Sequence, residues 1–137
     1  MTAARKYRNQ PEWVGAHKFD SGAEANRYRE LLLLERAHEI ANLELQPVYP
    51  LEILRLENGK LQGIPVKIRS DKRPNGTRTK YTADFRYQCL RTGRQIIEDV
   101  KGVDTTASRL RRAVVECIYG IEIVLIRAKR TRKARKR

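Results

Sequence analysis

The most constraining stretch of this sequence is Tyr81 to Cys89, where Tyr81, Ala83, Phe85 and Tyr87 alternate with Thr82, Asp84 and Arg86. Period-two alternation marks a strand with one buried face. Arg91-Thr92-Gly93-Arg94 then turns the chain back into Gln95 to Val100, which predicts two antiparallel neighbours. A hairpin of this kind needs further layers of structure to cover it.

Those layers can be read on either side. Ser21 is a good N-cap, Glu24 follows three residues later, and Ala25 to Ala37 holds strong helix formers. Tyr28, Leu31, Leu32 and the following leucines give that helix a broad apolar face, and it is predicted to fade near Glu39. Leu43 to Leu56 is extended but carries Pro47 and Pro50, as an edge or interrupted strand does. Glu57-Asn58-Gly59-Lys60 reads as a tight hairpin turn into a strand over residues 61–68. Arg69 to Thr79, with Pro74, Asn75 and Gly76, reads as a basic loop.

After Gly102 a second helix is predicted over Thr106 to Tyr119, with Gly120 at its C′ position. Leu110, Ala113, Val114, Cys117 and Ile118 form its expected core-facing stripe. Ile121 to Ile126 reads as a buried strand, and Trp13 to Phe19 as a short arm broken at Gly15. The order is helix, two or three strands, helix, strand, which predicts an α/β sandwich with a mixed sheet flanked by helices.

The 137 residues fit one domain, taken as 1–126, with 1–12 loosely ordered and 127–137 a basic tail. Lysines and arginines number 30 against 16 acidic residues, a net charge of +14. That excess favours a polyanion partner, because each phosphate neutralised releases condensed counterions. Eight of the last eleven residues are basic, Lys129 and Arg130 among them, and Lys72, Arg73, Arg78 and Lys80 crowd the central loop. A solubilising tail remains open beside a DNA-gripping one.

Cys89 and Cys117 are far apart and only two histidines exist, so the usual Cys/His zinc layouts are excluded and a reducing cytoplasm is the default. No run of about 18 apolar residues is present to span a membrane. The polar N-terminus does not read as a secretory signal.

The chemistry-bearing residues lie on the central hairpin. Asp84 has apolar neighbours on both sides, where a carboxylate needs a reason. Asp99 and Lys101, two apart on one strand, share a face. Two carboxylates at close range repel unless a cation lies between them, and hard oxygen donors suit Mg²⁺ or Mn²⁺. An ammonium beside a metal-bound water completes a minimal outfit for phosphodiester hydrolysis. The bland alternative is a strand-end ion pair between Asp99 and Lys101, with Asp84 held by Arg86 or Arg94. Glu98 is expected to face the other side of the sheet.

Asp84, then Glu98-Asp99-Val100-Lys101, then a helix, resembles the PD-(D/E)xK nuclease superfamily. Phe19-Asp20-Ser21 with Glu24, Leu43-Glu44-Leu45-Gln46-Pro47, Tyr81-Thr82-Ala83-Asp84-Phe85 and Glu98-Asp99-Val100-Lys101-Gly102 together resemble a small phage-borne family of such nuclease relatives. The resemblance spans about Lys6 to Ile126; Ala83 stands where the superfamily's name has proline. It implies a restriction-endonuclease-like αβββαβ core and a Mg²⁺-dependent endonuclease, with Mn²⁺ as substitute, leaving 5′-phosphate ends.

By position the resemblance implies Asp84, Asp99, Lys101 and Glu24 as catalytic residues, with Asp84, Asp99 and Glu24 at the metal. Glu30 is the second choice for the helix glutamate, and Gln46 a further lining residue. The competing role of Glu24 is a capping box with Ser21. Branched DNA such as a Holliday junction is the implied substrate, cut in phage replication or recombination, commonly by a homodimer in the host cytoplasm. A less selective nuclease, a cleavage subunit, a non-catalytic DNA-binding protein and an RNA-associated protein are the rivals.

Arg73, Arg78, Lys80, Lys129 and Arg130 are the expected DNA grips. Arg109 and Arg112, with Thr105, are either phosphate contacts or a solvated cationic face. Tyr81, Tyr87 and Tyr119 read as packing residues.

Overall fold

The computed structural model describes residues 10–128. Lys129, Arg130 and most of the N-terminal segment taken as loosely ordered therefore lie outside the described residues. Of that segment Glu12 is described, and it opens a strand.

The chain begins with a small hairpin, β1 (Glu12–Val14) and β2 (His17–Phe19), turning at Gly15 with φ +59°. Helix α1 (Gly22–Arg36) follows, with Ser21 Oγ accepting from Glu24 N at 3.2 Å as its cap. Then come β3 (Ile40–Leu45), β4 (Val48–Pro50), β5 (Glu52–Glu57), β6 (Lys60–Pro65), β7 (Lys67–Ser70), β8 (Arg73–Arg78), β9 (Lys80–Thr82), β10 (Phe85–Cys89) and β11 (Gln95–Lys101). Helix α2 (Thr106–Tyr119) ends at Gly120 in the left-handed region, and β12 (Ile123–Arg127) closes the described chain. Arg127, taken above as the start of the tail, is thus the last strand residue.

The central sheet has the order β12-β11-β10-β3. β3, β10 and β11 are antiparallel, whereas β12 runs parallel to β11 after the α2 crossover, so the sheet is mixed. Its elements in chain order are helix, three strands, helix, strand. This is a small α/β domain with a helix on each side of the sheet. Phe19, Ala25, Tyr28, Leu31, Phe85, Tyr87 and Val100 pack on the α1 side. Tyr49, Tyr81, Ala83, Ile97, Val115 and Ile123 pack on the α2 side.

Three sequence expectations are corrected. Tyr81 to Cys89 is not one strand with one buried face: Tyr81, Ala83, Phe85 and Tyr87 are all buried, but the first two on the α2 side and the last two on the α1 side. It breaks at Ala83–Asp84, opposite the break at Gln46–Pro47 between β3 and β4. Pairing carries through in one register, Phe85 with Leu45 and Thr82 with Val48, so the two strands form a single ribbon bent at Asp84. Residues 69–79 are not a loop but most of a further hairpin, β7–β8. A ribbon exposed on both faces carries no apolar period to betray it.

The third correction concerns α2. Its core-facing residues are Val115, fully buried, with Ser108 and Arg112 on the same side. The apolar stripe of Leu110, Ala113, Cys117 and Ile118 faces out, Leu110 being 66% exposed; of the five residues expected inside, Val114 alone packs against the core. The periodicity located the helix correctly and assigned the wrong face to the domain interior.

Candidate active site

The bend in the ribbon positions Asp84. Its carbonyl accepts from Gln46 N at 2.9 Å, its amide donates to Glu98 O at 3.0 Å, and its Oδ2 accepts from Val100 N at 2.6 Å. Both flanking strands therefore clamp the residue where the pleat is interrupted and the side chain can turn toward β11.

Asp99 is buried on β11 and lies close enough to Asp84 for its charge to act on it. One of its oxygens accepts from Tyr81 Oη at 2.6 Å, and the other faces Lys101 Nζ at 3.3 Å. Lys101 is about one-third exposed and opens the cluster to solvent. Glu24, at the N-terminal turn of α1, is close enough for its charge to act on Asp84 and for Lys101 to act on it. The structure thus brings together Glu24, Asp84, Asp99 and Lys101.

Burial drives the electrostatics. It pushes the Asp84 carboxyl up to about 8, against the opposing Val100 N–H bond, and the charges of Glu24 and Asp99 push the same way. Burial also raises Glu24, offset in part by a hydrogen bond from Ser21. Glu24 therefore carries both roles in part, in contact with its helix cap and facing the acidic pair. The Tyr81 phenol is held protonated by burial and by Asp99.

The bland ion-pair alternative fails for Asp84. Arg86 binds Glu44 and the Tyr49 hydroxyl instead, and no described bond joins the Arg94 side chain to either aspartate. The Asp99–Lys101 pair does form. Glu98 does face the opposite side, where Arg27 grips it through Nε at 2.8 Å and Nη2 at 2.6 Å, and Tyr87 Oη donates at 2.6 Å. Tyr87 and Tyr81 are thus more than packing residues. Each is the hydroxyl donor to one of two adjacent buried carboxylates, and only the aromatic pattern, not the partner, was legible in the sequence.

Other expected residues are displaced from their roles. Arg112 is 13% exposed and bidentate to Asp104, at 3.1 and 2.9 Å, so it is neither a solvated face nor free for phosphate. Its guanidinium holds Asp104 below the usual carboxylate range. Arg109 is 62% exposed and 3.8 Å from Asp104. Thr105 caps α2 by accepting from Ser108 N at 3.1 Å. The Gln46 side chain is exposed; its contribution is the amide that holds Asp84. Glu30 pairs with Arg27 and stands outside the cluster. Arg73, Arg78 and Lys80 are exposed on β8 and β9.

Among the described residues no three His, Cys, Asp or Glu side chains form a ready metal cage, and no helix is long and apolar enough to cross a membrane. A family model described as "Protein of unknown function (DUF1064)" matches residues 4–134. The chain belongs to this family. No curated protein and no solved structure matches it.

Proposed function

We propose that this chain is a divalent-metal-dependent DNA endonuclease on a restriction-endonuclease-like αβββαβ core. The observation that carries the reading is the close approach of the half-buried Asp84 to the buried Asp99, with Lys101 beside them and no arginine among the described residues bonded to Asp84. Such an approach is costly in a buried site, and a cation offsets the cost.

The donor set fits Mg²⁺ or Mn²⁺. The oxygens are hard, and the proton that burial places on Asp84 near neutral pH marks where positive charge is wanted. Asp84 and Asp99 would hold the ion, and Glu24, lacking a closed cage with them, would act through water. When bound, the metal would supply a water of lowered pKa and offset charge on the scissile phosphate. Lys101 would orient the attacking water and stabilise the developing charge, while Tyr81 holds the Asp99 rotamer.

DNA as substrate rests on charge and shape. Lys67, Arg69, Arg73, Arg78 and Lys80 line an exposed two-stranded ribbon and its exit, an element narrow enough for a major groove. Branched DNA, such as a four-way junction, is the preferred substrate. A second reading, a DNA-binding protein without catalysis, draws on Asp99 being already satisfied by Tyr81 and Lys101.

Cleavage of a labelled four-way junction and its matched linear duplex, with Mg²⁺, Mn²⁺ or EDTA, separates these readings. Metal-dependent cuts near the branch support the proposal, and equal cutting of both DNAs removes only the junction preference. Binding without cleavage under every metal condition leaves the second reading.

A further inference from the structure

Helix α2 turns its apolar stripe away from the domain it belongs to. Leu110, Ala113 and Cys117 stand at i, i+3 and i+7, with Ile118 beside them, and all four are exposed. Val103, just before the helix, is a further exposed apolar residue at 66%. A stripe this continuous on a four-turn helix marks an interaction surface rather than scattered surface apolarity.

The flanking charges select the partner. Arg109 and Glu116 lie seven residues apart, hence on one flank of the stripe. In an antiparallel pair of α2 helices with a two-fold axis near Ala113, Arg109 of each copy comes opposite Glu116 of the other. In a parallel two-fold pair this flank would face the partner's other flank, and Arg109 would not meet Glu116. Ala113, small and central, lets the two backbones approach. The one described side-chain bond of Glu116 is a long one, accepted by Oε1 from Ile123 N at 3.4 Å, and its other oxygen has no described partner. A self-complementary pattern of this kind is what an isologous two-fold interface requires.

We propose that α2 is a homodimer interface, packed antiparallel on a second copy of this chain through Leu110, Ala113 and Cys117. The inference stands apart from the nuclease reading.

The test uses full-length protein without DNA, carrying Cys89→Ala and Cys117→Ala, with a single cysteine introduced as Ala113→Cys or, for comparison, Leu54→Cys. Leu54 is 70% exposed on the β5–β6 hairpin, which carries exposed apolar residues of its own. Under mild oxidation the Ala113→Cys protein is expected to cross-link to a dimer, and sedimentation of the wild type to show concentration-dependent dimerisation. Adding Arg109→Glu or Glu116→Arg alone should cut cross-linking several-fold, and the two together should restore it. Circular dichroism checks that each variant folds. A monomer at all concentrations with no cross-link, a cross-link through Leu54→Cys alone, or failure of the double swap to restore pairing would each overturn the proposal.

Discussion

Tyr81 Oη donates a 2.6 Å hydrogen bond to Asp99 Oδ2 while Lys101 Nζ faces the other Asp99 oxygen at 3.3 Å, so an aromatic on β9 fixes the rotamer of a carboxylate on β11. Tyr81→Phe removes the donor and keeps the ring. Losing one partner of a buried carboxylate costs about 1–3 kcal/mol, which urea melts should read. Single-turnover cleavage is expected to fall in this variant, by less than in Asp99→Ala. Cleavage equal to wild type would show that the phenol serves packing alone.

Asp84 gives the site a distinctive pH dependence. Its carboxyl is raised from 3.8 to about 8, so the metal-free native state binds more protons than the unfolded chain between those values. Stability therefore falls as pH rises across that window. Asp84→Asn keeps an acceptor for Val100 N and cannot ionise. It is expected to raise the melting temperature of the metal-free protein at pH 8 and to change it little at pH 4. A benefit of equal size at both pH values would contradict the assigned protonation.

On the other face of β11, Arg27 and Tyr87 hold Glu98 in a closed network. Arg27→Met leaves a carboxylate buried without its cation, a loss of about 3–5 kcal/mol. Arg27→Met with Glu98→Met should recover most of that loss in denaturant melts, because the pair is then replaced by apolar volume. No recovery in the double variant would mean that the network holds the sheet through contacts other than the ion pair.

The basic ribbon and α2 make opposite predictions about arginine. Arg78→Ala should reduce the slope of log binding constant against log salt by about 0.9, one phosphate contact, without a stability cost. Arg112→Ala should leave that slope alone and destabilise the fold, because Arg112 is committed to Asp104. Filter binding across a salt series, paired with thermal melts, checks both.

The sequence carried the site better than the scaffold around it. Alternation through Phe85 and Tyr87, the Asp99-x-Lys101 spacing and the Ser21 cap are local patterns, and local patterns survive folding. The bend at Asp84 was hidden because burial still alternates through it, although Ala83 and Phe85 pack on opposite sides of the sheet; the matching break at Gln46–Pro47 lies over 35 residues away. Tyr81 and Arg112 were misread because composition shows a side chain's type and not its partner. The face of α2 was misread because an apolar stripe reports burial without saying against what.

The most direct measurement of the central claim is single-turnover DNA cleavage by Lys101→Met beside wild type, with DNA affinity measured in the same buffer. Lys101 sits 3.3 Å from Asp99 and is a small part of the net charge of +14, so affinity should barely change. The cleavage rate with Mg²⁺ should fall by about 10²-fold or more, the scale of losing one group aimed at the developing charge. Equal rates for the two proteins, or a wild type that binds DNA and never cuts it, would contradict the account.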